Sequence, residues 1–191
     1  MDPKVLVTII IVLAIIVIAA VVIARRRQRS THLKEQFGPE YERTVLQQGN
    51  AAKAEAKLAE REARVQKFTI RELPATERAA YADEWAAVQR RFVDDPSMAV
   101  SEADRLVNRV MNSRGYPMAD FDQRIDDISV NYPVVVQNYR SARDIFVRHS
   151  SGRASTEDLR QAMVYYRSLF DELLGTPAAA AADPAVLRRA S

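Results

Sequence analysis

Cysteine is absent, which excludes disulfides, iron–sulfur clusters, thiolate zinc sites and cysteine nucleophiles together. Glycine is scarce, with five in 191 residues. Few Gly and Thr beside many Ala, Arg, Glu and Leu predict an all-α chain, because Ala and the straight-chain residues lose little entropy in a helix. Histidine occurs twice. General acid–base chemistry usually uses a His or a pair of carboxylates with separated pKa values. Here His32 follows a basic cluster and His149 sits at a helix end, where a cation suits the dipole. The P-loop, the dinucleotide fingerprint, GxSxG and HExxH are missing as well. The expectation is a protein that is not an enzyme and has no catalytic residue, cofactor or metal site.

An excess of one charge is also lacking outside the first 29 residues. The net charge is +3, yet Lys4, Arg25, Arg26, Arg27 and Arg29 stand against only Asp2 there. Taking these from the 28 basic and 25 acidic side chains of the whole chain leaves 23 and 24. A nucleic-acid binder concentrates Lys and Arg on its folded part, because phosphate neutralisation supplies most of the affinity. No nucleic-acid partner is expected.

A long apolar run is present. Val5 to Ala24 contains no charge and one polar side chain, Thr8. Twenty helical residues reach about 30 Å, the thickness of a bilayer's hydrocarbon core, and a signal peptide would carry a shorter run and a small-x-small cleavage site. The run reads as a transmembrane helix behind a short tail, residues 1–4. The arginines that follow place residues 25 onward in the cytoplasm and the amino terminus outside. Arg25, Arg26, Arg27 and Arg29 set this topology and are also candidates for contact with anionic lipid.

Residues 25–39 read as a basic linker with a hinge at Gly38-Pro39, and residues 40–68 as a charged helical spacer. Ala52, Ala56, Ala59 and Ala63 form its one stripe, with Leu58 and Val65 off to the side, which is thin for a coiled coil and leaves homo-oligomerisation open. "FTIRELP" is an extended connector. From there to residue 175 the helical period is strong enough for a compact bundle of about five helices. Tyr81, Trp85, Val88 and Phe92 share one face that must be buried. Val100, Ala103, Leu106, Val107, Val110 and Met111 form the next stripe, after a cap at Asp94-Asp95-Pro96. Val135, Val136, Tyr139, Ala142, Phe146 and His149 point inward from a helix starting at Pro133. Leu159, Ala162, Met163, Tyr166, Leu169, Phe170 and Leu173 do so from the last, which opens on a Ser155/Asp158 cap. Residues 176–191 read as a disordered tail, whose "RRAS" ending resembles a basophilic phosphorylation site at Ser191.

The stretch "MNSRGYPMADFDQRIDD" gathers a glycine, an aromatic, a proline and four carboxylates. A calcium loop fails on the count from Asp120, since position five is Arg124 and position twelve Asn131. A corner explains the same residues: Gly115 as a left-handed cap, Pro117 as a helix stop, and Asp120 and Asp122 at the start of the next helix.

"FGPEY", "WAAVQRRFVDDPSMAVSEADRLVNRVMNSRGYP", "DISVNYPVVVQNYRSA" and "TEDLRQAMVYYRSLFDELL" together resemble a family of uncharacterised bacterial proteins with one amino-terminal membrane span. The resemblance covers about Phe37 to Leu174. It implies a single-pass anchor with a helical domain and brings no catalytic residue. A module of that kind would bind a protein partner through exposed Tyr and Arg, the types enriched at interface anchors. The candidates are Tyr116, Tyr132, Tyr165, Arg140, Arg160 and Arg167.

Overall fold

The computed structural model describes residues 3–175, with side chains from Val12 onward. The expected tail at 176–191, with Ser191, lies outside the described residues. Among these there are eight helices and no strand: α1 (Pro3–Phe37), α2 (Pro39–Gln48), α3 (Ala51–Val65), α4 (Ala75–Asp94), α5 (Pro96–Ser113), α6 (Phe121–Asn131), α7 (Val136–Ser150) and α8 (Thr156–Leu174). The fold is all-α. Among the described residues no helix is long and apolar enough to cross a membrane. The span expected at Val5–Ala24 lies partly outside the described side chains. The chain divides into two compact units between Ala59 and Glu60, inside α3.

In the first unit, residues 25–37 are not a linker: they continue α1 without a break. The chain turns at Gly38, whose φ of 45° favours glycine, and Pro39 opens α2. Gly49 closes α2 in the left-handed conformation, its N–H donating to the Val45 carbonyl. The expected spacer is therefore two helices. Both are tied to α1 through one oxygen, Glu55 Oε1, which accepts from Ser30 Oγ at 2.7 Å and from the Tyr41 hydroxyl at 2.8 Å. Leu33, Phe37, Tyr41, Ala54 and Leu58 are buried. The alanine stripe was misplaced. Ala52, Ala56 and Ala63 are exposed, and the buried side chains of α3 are Ala54, Leu58, Arg61 and Val65. Leu58 and Val65 remove more apolar area from water than alanines do, and the charge of Arg61 hides their period.

The second unit builds around α5. Its stripe from Ala99 to Met111 is buried, and α4 and α8 both pack against it. α7 lies along α8, and α6 along α7. Each fully buried Leu, Val or Phe contributes roughly 1.5–3 kcal/mol. Asp95 caps α5, its Oδ1 accepting from the Met98 N–H at 2.9 Å. Ser155 and Asp158 complete a reciprocal capping box on α8, the shorter Asp still reaching the Ser155 N–H at 2.8 Å. α7 starts three residues after Pro133, and Ile145 is buried where Phe146 and His149 are only half-buried.

The stretch after α5 is a corner. The Gly115 N–H donates to the Asn112 carbonyl and the Tyr116 N–H to that of Met111, the paired bonds of a Schellman cap. Gly115 has φ 96°, and a Cβ there would stand 2.2 Å from the Thr69 carbonyl oxygen. The extended connector crosses at that point, and its Arg71 N–H donates to the Arg114 carbonyl at 2.9 Å. Each carboxylate beyond the corner has a structural task. Asp120 caps α6 through the Gln123 N–H at 2.9 Å, and Asp122 occupies its first turn. Asp126 pairs with Arg61 at 2.5 Å, and buried Asp127 with Arg64 at 2.7 Å.

Gly115→Ala is expected to cost roughly 2–4 kcal/mol in a denaturant titration, since backbone strain adds to the clash with Thr69. Arg64→Ala leaves the buried Asp127 carboxylate only its long contacts to Gln123, and roughly 3–5 kcal/mol is expected to be lost in the same titration.

Candidate interaction surface

Polar groups inside the second unit form a network that joins four helices. Asp104 on α5 accepts from the Tyr166 hydroxyl on α8 at 3.0 Å and from Asn108 Nδ2 at 3.1 Å. The Asn108 carbonyl accepts from the Tyr139 hydroxyl on α7 at 3.2 Å and from Arg124 on α6. Arg143 approaches Asp104 at 3.7 Å, its guanidinium lying over the rings of Phe121 and Phe146. Burial, then the Asp104 charge, pushes the Tyr166 hydroxyl up in pKa; burial likewise pushes up Tyr139, and Tyr116 to about 12. Tyr166 and Tyr139 donate to fixed acceptors and Tyr116 accepts from Asn131, which suits a structural lock rather than proton transfer. Asp104 and Asn108 fall between apolar positions of α5, and nothing in their spacing announces the network.

Ser97 Oγ lies 2.6 Å from His149 Nε2, joining the first turn of α5 to the end of α7. A nucleophile–base pair also needs an orienting group, and among the described residues no carboxylate is hydrogen-bonded to this imidazole. The bond ties two helix ends together.

The surface has three clefts of interest. One of about 400 Å³ between α4 and α5 is crossed by the Arg91–Glu102 and Arg109–Glu84 ion pairs. A second of about 490 Å³ lies where α6 meets α7, with Phe121, Arg140 and Arg143 among its walls. The third, about 180 Å³, is a furrow between α4 and α8. Its α4 wall is Trp85, Gln89 and Phe92, and its α8 wall is Arg160, Met163, Val164 and Arg167. Each wall is one face of a helix, at spacings of i, i+4, i+7 and i, i+3, i+4, i+7. The Trp85 ring stacks on Phe170, centroids 4.8 Å apart, and its Nε1 is buried with no acceptor. Phe92, expected inside with the rest of its stripe, is only half-buried, as is Tyr81. α4 and α8 both sit on α5, and the furrow runs between them.

The six expected contact residues do not form one surface. Tyr116 must be withdrawn: it is 2 % exposed, its hydroxyl accepts from Asn131 at 2.6 Å, and the cap geometry turns it inward against the core. Tyr132 is half-buried beside the Arg114 guanidinium, and Tyr165 is half-buried on α8. Arg140 lines the α6–α7 cleft. Only Arg160 and Arg167 come together, on the furrow wall. Trp85 and Met163 are buried as their stripes predict, while half-buried Phe92 and exposed Val164 leave apolar area on the furrow walls. Arg25, Arg26, Arg27 and Arg29 are exposed on α1. Comparison with protein-family models, curated proteins and solved structures finds no match.

The raised tyrosines make stability sensitive to alkali. Their folded-state values exceed the unfolded value of about 10, so their contribution is complete below pH 10 and is lost as pH rises toward the folded values. Stability should fall above pH 10 by about 1.4 kcal/mol per pH unit for each such tyrosine. Tyr166→Phe should reduce that slope in melts run from pH 9 to 11.5.

Proposed function

We propose that this chain is a membrane-anchored, non-enzymatic helical module that recruits a partner protein at the cytoplasmic face, with its amino terminus outside. The observation that carries the reading is the bare apolar length of α1. Its large side chains from Val12 to Ile23 stand 45–62 % exposed. A helix apolar all round needs other protein or hydrocarbon against it. The apolar sequence continues upstream to Val5 and ends at Arg25, Arg26 and Arg27, the order expected of a span with its basic flank inside. For the module, the support is a furrow walled by aromatic, apolar and arginine side chains, the types that anchor interfaces.

A second reading draws on the exposure of Arg25, Arg26, Arg27 and Arg29: an electrostatic tether that senses anionic lipid, at about 1 kcal/mol for each basic residue near the surface.

The native protein is expected to sediment with membranes and to resist alkaline carbonate, and removal of residues 5–24 should release it. A labelling enzyme active only in the cytosol, fused after Ser191, should tag neighbours, and tagging should depend on residues 70–175. Release of the intact chain by carbonate would end the anchor reading. A membrane-embedded fusion that tags nothing would reverse the orientation in favour of an exported domain. Liposome binding by a peptide of residues 25–45 that rises with anionic lipid far beyond simple charge attraction would favour the tether.

A further inference from the structure

We propose that the furrow between α4 and α8 receives an acidic amphipathic helix of a partner protein. The partner's apolar side chains would seat against half-buried Phe92 and exposed Val164, over the buried Trp85 and Met163 at the furrow floor, and its carboxylates would reach Arg160 and Arg167. The inference deepens the module reading and rests on it.

The first argument is shape. α4 and α8 both pack on α5 and each contributes one wall of the furrow, which is how a bundle offers the place of one more helix. At about 180 Å³ the furrow is smaller than the roughly 300–1,000 Å³ of small-molecule pockets, and it admits a few side chains from a longer element. A helix laid in a groove with anchors at i, i+3, i+4 and i+7 is an established recognition mode.

The second argument is charge. The furrow walls carry two arginines and no carboxylate. Arg160 and Arg167 are two turns apart on α8, about 10.5 Å along the axis. They bracket Met163 and Val164, so a partner helix with carboxylates seven residues apart and apolar residues at the third and fourth positions between matches them. The two arginines already pair with Glu157 and Asp171 on their own helix, at 2.6 and 3.4 Å. Exposed pairs of this kind contribute little and exchange readily for a partner's carboxylates. A basic helix would meet like charge at both ends of the furrow.

The chain carries its own reporter, because Trp85 is the one tryptophan in the sequence and lines the furrow. The probe is a tryptophan-free synthetic helix with Glu at two positions seven apart and Leu at the third and fourth between. Added to the full chain in detergent, it should shift Trp85 emission saturably. The same peptide with Lys for Glu should bind at least about tenfold more weakly. In the Arg160→Glu/Arg167→Glu variant the preference should reverse. Both substitutions are on exposed side chains, and circular dichroism melts check the fold. An unchanged emission at about 1 mM Glu peptide, equal binding of the two peptides, or an unaltered preference in the variant overturns the proposal. If the peptide fails while tagging in the cell still depends on residues 70–175, the furrow is refuted and the module stands. If both fail, the module reading falls with it.

Discussion

The second unit depends on the burial of α5. Its residues Ala99, Val100, Ala103, Leu106, Val107, Val110 and Met111 are withdrawn from water, and its small residues at Ala99 and Ala103 let neighbours approach. Both ends are fixed by backbone chemistry: Asp95 and Pro96 at the start, and the left-handed Gly115 at the finish. With the axis fixed, α4 and α8 find their places along it, and the Asp104–Asn108 pair sets the polar register of α8, α7 and α6 by holding Tyr166, Tyr139 and Arg124. The apolar contacts supply the stabilisation, and the polar network selects one arrangement among those that apolar stripes alone would allow.

The helical periodicity and the caps of this unit were legible in the sequence because both are local. Asp95-Pro96, Ser155 with Asp158, and Gly115 with Pro117 each act within five residues. What escaped was non-local. Arg61 interrupts an apolar period, yet it is buried where Asp126, far along the chain, pairs its charge and Ser129 accepts from it. Tyr116 is one residue past a glycine and reads as a loop aromatic, but the cap turns it inward. Phe92 completes a regular stripe, and periodicity does not record that the core ends one turn before it. The linker expected at residues 25–39 is helical as far as Phe37, since a run of charge and amide side chains is also what the exposed flank of a helix looks like.

These errors share a direction that bears on function. Residue type says which groups would gain from burial, and only the packing says which of them achieve it. The α4–α8 furrow exists in that gap: two of its aromatic residues belong to a core stripe by pattern, and Phe92 is left half-exposed by the end of the core. Arg160 and Arg167 were singled out by residue type as interface anchors, and they acquire meaning from standing opposite that aromatic wall.

α1 runs as one helix from the apolar run, past the arginines, to Phe37, and Ser30 is fastened with Tyr41 to a single carboxylate oxygen of Glu55. Such a helix has no swivel between its two parts. A rotation of the apolar length about its axis, by the 100° that one residue occupies or less, turns Ser30 by the same angle and tears its bond to Glu55. The first unit thus behaves as a torque arm: twist applied at one end of α1 reaches the buried Leu33 and Phe37 at the other, and the Ser30–Glu55 bond with them, instead of being absorbed by slack chain.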